Sequence, residues 1–73
     1  MSMVTELAAD AAMAGVASKI HDTRVALRWT QHELATRAGV SRPTVARVER
    51  GDDISTATLE KIALALELKI ELT

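Results

Sequence analysis

One local pattern recurs three times and constrains this chain more than anything else in it. A Ser or Thr follows a large apolar residue and precedes another by four positions. Trp29-Thr30-Leu34, Val40-Ser41-Val45 and Ile54-Ser55-Leu59 all fit. A hydroxyl in the first of those positions accepts an N–H that a helix's opening turn leaves unpaired. The apolar pair on either side staples the entering chain to the helix. Glu33, three residues after Thr30, completes a capping box there. Gly39 and Gly51 follow the first two of these segments, and glycine tolerates the left-handed turn that closes a helix. Asp52-Asp53 extends the second stop into a loop. The spacing predicts helices over about 31–38, 42–50 and 55–66.

Upstream, Val16, Ile20, Thr23 or Arg24, and Leu27 recur at helical spacing, which predicts a helix over about 16–28. Residues 1–14 are Ala-rich and read either as a mobile tail or as a further helix, with Gly15 as the separator. At the other end the period changes. Leu66, Leu68, Ile70 and Leu72 alternate with Glu67, Lys69 and Glu71, the pattern of a half-buried strand. The competing reading continues the last helix, because Leu64, Leu68 and Leu72 are spaced by four. It would set Glu67 and Glu71 as a like-charge pair. The chain thus divides into a tail or extra helix (1–15), a helical bundle (16–67) and a C-terminal strand (68–73).

The 73 residues hold one domain. There is no cysteine, so neither a disulfide nor a cysteine metal site props up the core, and a reducing compartment is compatible. Trp29 is the one aromatic residue in a chain built on Ala, Leu, Val and Ile, which favours helices. The opening residues have no basic stretch, and the longest unbroken apolar run is Ile62 to Leu66. Neither a secretory leader nor a membrane span is expected.

The net charge of −1 argues against nucleic acid, but its distribution argues for it. Lys19 to Arg50 holds seven Lys/Arg against three acids, a net +4, while residues 1–18 carry −2 and residues 51–73 carry −3. A basic middle between acidic flanks points to an anionic partner. Catalysis is not expected. Nothing gathers Ser, His and Asp as nucleophile, base and orienter, and there is no Gly-rich phosphate loop. His21 and His32 lack the spacing of metal ligands, so no cofactor is expected.

The segment Gln31 to Arg50, QHELATRAGVSRPTVARVER, meets the demands of two short helices packed across a glycine turn. Leu34 faces the core, Ala35 is small enough for a close crossing, and Val40 plugs the turn. Val45 and Val48 face inward, leaving Arg42, Pro43, Thr44, Ala46, Arg47 and Arg50 outside. The run W-T-Q-x-E-L-A-x-x-x-G-V-S-x-x-T-V-x-x-V-E-x-G resembles the Cro/repressor, or Xre, type of helix-turn-helix. The resemblance covers about residues 16–66. It implies an all-α, compact bundle of four or five helices that binds duplex DNA in the major groove. The short C-terminal strand is added to that fold.

Roles follow from the resemblance residue by residue. The helix over 42–50 corresponds to the one that enters the major groove, which puts Arg42, Pro43, Thr44 and Arg47 at base edges. Arg can donate two hydrogen bonds to guanine O6 and N7, so guanines are expected in the site. Pro43 departs from the polar residue often found there and cannot donate, although its ring could touch a thymine methyl. Gln31 matches a phosphate-holding position at a helix N-terminus. Arg28, Arg37 and Arg50 are further phosphate candidates, for which a solvated surface charge is the plain alternative. Arg24 and Glu49 match a pair that bridges the first and third helices in many members. Trp29 reads as a staple over Leu34, or else as a stacking surface for a base.

A single recognition helix reads few base pairs, so a homodimer on a pseudo-palindrome is expected. The strand supplies a means, since a lone strand has unpaired backbone groups. Centring a two-fold axis on Ile70 sets Leu68 against Leu72 and Lys69 against Glu71, whereas centring it on Lys69 opposes like charges. Leu68, Lys69, Ile70, Glu71 and Leu72 therefore form the expected dimer interface. The expected function is a cytoplasmic, nucleoid-associated regulator, with repression as its mode. The alternating tail also resembles Xre-type antitoxins of the HipB and HigA kind, which implies a toxin as a possible second partner. A protein-interaction module without DNA is the remaining alternative.

Overall fold

A computed structural model describes the backbone of residues 2–67 and the side chains of residues 14–67. The described residues form four helices and no strand: α1 (Ser2–Ala26), α2 (Gln31–Ala38), α3 (Arg42–Glu49) and α4 (Thr56–Ala65).

All three hydroxyl caps form. Thr30 Oγ1 accepts from Glu33 N at 3.0 Å while Glu33 Oε1 accepts from Thr30 N at 3.1 Å. Ser41 accepts from Thr44 N and Ser55 from Thr58 N, at 3.3 and 3.2 Å. In both of these a second bond joins the two hydroxyls, at 2.8 and 2.9 Å. The stops are equally local. Gly39 (φ 71) and Gly51 (φ 82) occupy the left-handed region. Val40 N then reaches back to Ala35 O and Asp52 N to Arg47 O, so carbonyls at each helix end gain partners.

Two expectations about α1 are corrected. It begins at Ser2 rather than near residue 16, and it runs unbroken through Gly15. The Ala-rich stretch has high helix propensity, and one interior glycine costs about 1 kcal/mol without breaking a helix. At its far end α1 stops at Ala26 instead of continuing to 28, because Arg28 turns left-handed (φ 61). Arg28 N donates to Val25 O and Trp29 N to Arg24 O, the same closure that the glycines make elsewhere.

The reading in which α4 continues through Leu72 is also overturned. α4 ends at Ala65, and Glu67 (φ 56) donates its N–H to Leu64 O. The expected strand and its pairing, over Leu68 to Leu72, lie outside the described residues.

The core draws on every helix. Ile20, Leu34, Val45, Val48 and Ile62 are all fully buried. Ala35, Ala38, Leu59 and Leu66 join them, and the staple residues Trp29, Val40 and Ile54 close the edges. Burying each large aliphatic side chain contributes about 1.5–3 kcal/mol. Val45 and Val48 fix which side of α3 is inside and so which side faces out.

Candidate nucleic-acid interface

Successive residues on a helix are about 100° apart, which follows from its 3.6-residue turn. With Val45 and Val48 buried, the opposite stripe of α3 consists of Pro43, Ala46, Arg47 and Arg50, with Arg42 and Thr44 on its flanks. Arg42, Pro43, Arg47 and Arg50 are exposed; Thr44 and Ala46 are half-buried. Pro43 lies in the first turn, where its missing N–H breaks no intrahelical bond. Of the four base-contact candidates, Pro43 and Arg47 thus share the outer face, while Arg42 and Thr44 lie about 100° to either side of Pro43. Thr44 is the least free of them, since its hydroxyl is already 2.8 Å from that of Ser41.

What holds α3 in place is an ion pair beneath it. Arg24 on α1 grips Glu49 with two hydrogen bonds, Nε to Oε2 at 2.8 Å and Nη2 to Oε1 at 3.0 Å. Its remaining arm, Nη1, donates to Trp29 O at 2.7 Å. The Glu49 side chain keeps only 7% of its exposure and that of Arg24 only 13%. Hydrogen bonding to the Glu49 carboxylate raises the Arg24 pKa against the opposing effect of its burial, so the guanidinium stays charged throughout. Gln31, the first residue of α2, adds a longer donor contact to Glu49 Oε1 at 3.5 Å. His21 Nδ1 stands 3.7 Å from the same oxygen. One carboxylate therefore ties together α1, the start of α2 and the end of α3.

The other phosphate candidates have different partners. Arg50, at the C-cap of α3, pairs with Asp52 at 2.9 Å on an exposed surface. Arg37 stacks its guanidinium 4.2 Å from the Trp29 ring centroid. Arg28 is exposed on the turn after α1. Trp29 packs against the core, as a staple does, and also serves as the platform for Arg37. Three of these contacts were missed from the sequence. Arg50–Asp52 had a local signal in the Arg-Gly-Asp spacing. Arg37 over Trp29 and Gln31 beside Glu49 had none, because they depend on how the helices pack.

A family model described as helix-turn-helix matches residues 20–72, well over half of the chain. This chain belongs to the Cro/repressor-type (Xre-like) helix-turn-helix family. No curated protein matches it. The helix-turn-helix unit proper is α2, the Gly39 turn and α3, with α1 and α4 behind it as the scaffold. The family's members are DNA-binding regulators. Among the described residues, no helix is long and apolar enough to cross a membrane, and no three His, Asp or Glu gather as a metal site would require.

Proposed function

We propose that this helix-turn-helix protein is a homodimeric repressor that reads a pseudo-palindromic operator with the exposed face of α3. One observation carries the reading. Arg42 and Arg47 are exposed on the outside of a helix whose inner side is buried at Val45 and Val48 and anchored by Arg24 through Glu49. Two exposed guanidiniums held on a rigid helix suit bidentate donation to guanine O6 and N7. Pro43 and Thr44 complete the base-facing set. Gln31, Arg28, Arg37 and Arg50 are assigned to phosphates, which set register and affinity rather than sequence. Repression follows from occupancy, since a bound regulator excludes competitors from the same stretch of duplex. Two copies on a two-fold axis place recognition helices about 34 Å apart, one turn of DNA. The alternating Leu68–Leu72 run is the assigned dimer contact, in the register centred on Ile70.

Selection of duplex DNA from a random pool, followed by anisotropy titrations at several salt concentrations, tests this. The expected result is a pseudo-palindrome with guanine-containing half-sites one helical turn apart. Arg47→Ala should lose about 1–3 kcal/mol of discrimination at one base pair. Several phosphate contacts should appear as a slope of about −0.9 each in log K against log salt. A pool without enrichment, bound equally well by both proteins, would overturn the reading.

A further inference from the structure

The outward side of α3 is not uniformly charged. Ala46 follows Pro43 by three residues and Arg47 follows it by four, so both are its neighbours on the helix surface. Val45 and Val48 are fully buried on the other side. Pro43 is exposed and Ala46 half-buried. Neither side chain can donate or accept a hydrogen bond, and Pro43 lacks a backbone N–H as well. Arg42 precedes this apolar pair in the chain and Arg47 follows it, both exposed. Thr44, on the flank, has its hydroxyl 2.8 Å from that of Ser41.

We propose that Pro43 and Ala46 together read the C5-methyl group of a thymine, and that this thymine lies within about two base pairs of the guanine read by Arg47. The proposal rests on the reading of α3 as the recognition helix. It makes Ala46 a specificity-determining residue.

Among the donors and acceptors of the major groove, the thymine methyl is the one apolar group. A purine N7, a guanine O6 or a cytosine amine set against Pro43 and Ala46 would lose its water and gain no partner, which is costly. A methyl group there gives up no hydrogen bond and is itself taken out of water. The O4 beside it can accept from a flanking guanidinium of Arg42 or Arg47. Spacing ties this thymine to the guanine. Pro43 and Arg47 are four residues apart, about 6 Å of helical rise. Successive bases of one strand are about 3.4 Å apart, so the two side chains meet bases no more than about two steps from each other. Proline in the first turn and alanine further on also suit α3 as helix formers, so the test has to separate recognition from folding.

Changing the DNA and leaving the protein untouched achieves that. Each thymine of the selected operator is replaced in turn by deoxyuridine, which lacks only the methyl group, and wild-type binding is followed by anisotropy. The guanine read by Arg47 is the one whose preference is lost in Arg47→Ala. One thymine near it should weaken binding about fourfold when replaced, and about fifteenfold when both half-sites are changed, the loss of one buried methyl per half-site. In Pro43→Ala and in Ala46→Gly, each confirmed as folded by circular dichroism, the same replacement should cost no more than about twofold, because the methyl has lost part of its contact. If no replacement near that guanine weakens wild-type binding, the proposal is overturned, while an enriched guanine-containing operator would still leave α3 as its reader. A methyl effect undiminished in either variant would also overturn it, since the methyl would then act on another group or through the shape of the duplex. A pool with no enriched operator would end both readings.

Discussion

Arg24 and Glu49 stand 25 positions apart and close on each other through two near-parallel hydrogen bonds of 2.8 and 3.0 Å. That geometry makes the pair more than a surface contact. Guanidinium and carboxylate meet fork to fork, which adds directional strength to the charge. The carboxylate is almost wholly buried, so its attraction to Arg24 offsets the cost of taking it out of water. The two residues also belong to different helices, so the bond fixes α3 relative to α1.

Arg24→Met should therefore be severe. It leaves Glu49 buried with only the longer contacts from Gln31 and His21, and a buried charge stripped of its partner costs about 3–5 kcal/mol. Chemical denaturation monitored by Trp29 fluorescence would read this directly. The double variant Arg24→Met/Glu49→Leu should recover most of the loss, because no charge then remains buried. If the double variant loses as much stability as the two single variants added together, the pair is not coupled.

Asp52→Asn should strengthen DNA binding. Asp52 holds Arg50 at 2.9 Å beside the outer stripe of α3 and places a negative charge near the duplex. Both side chains are well exposed, so the ion pair itself contributes little to stability and its loss should hardly move the unfolding midpoint. Freeing Arg50 for a phosphate should steepen the salt dependence by about one unit. A salt slope identical to that of the wild type would take Arg50 out of the interface.

The helix boundaries set by hydroxyl caps and glycines were legible in the sequence because each is decided within five or six residues. Thr30, Ser41, Ser55, Gly39 and Gly51 all act through bonds to their own neighbourhood. The inward set of Leu34, Val45 and Val48 followed from periodicity. Two other things escaped. The length of α1 was hidden because its first half is alanine-rich with no apolar stripe to count, and Gly15 looked like a stop. The left-handed turns at Arg28 and Glu67 were hidden because the rule for a helix stop looks for glycine or asparagine. The Arg24–Glu49 pair was available only through the family resemblance. Nothing local to either residue points to the other, and the contact exists because α1 packs against α3.

The caps themselves can be weighed. Thr30→Ala removes the hydroxyl that Glu33 N uses, and Ser55→Ala removes the one that Thr58 N uses. Each should cost about 1 kcal/mol. The two sites lie on different helices and share no hydrogen-bond partner, so the double variant should equal the sum to within about 0.5 kcal/mol. Thermal unfolding of the three variants measures this. A strongly sub-additive result would mean that α2 and α4 do not unfold as one cooperative unit with the core.

Arg28→Gly should separate stability from function. Arg28 sits at φ 61, a conformation that costs a residue with a side chain roughly 1–2 kcal/mol and costs glycine almost nothing. Glycine returns about 0.5–1 kcal/mol of that through the greater freedom of the unfolded chain. The net expectation is a protein more stable by about 0.5–1 kcal/mol. A strained residue kept where glycine would fit better suggests that its side chain serves a purpose, and phosphate contact is the role assigned here. The variant should therefore melt higher yet bind its operator more weakly, with a salt slope shallower by about one unit. A higher midpoint with unchanged DNA binding would leave the strain at Arg28 without that explanation. A lower midpoint would show that the arginine side chain stabilises the turn by more than its backbone strain costs.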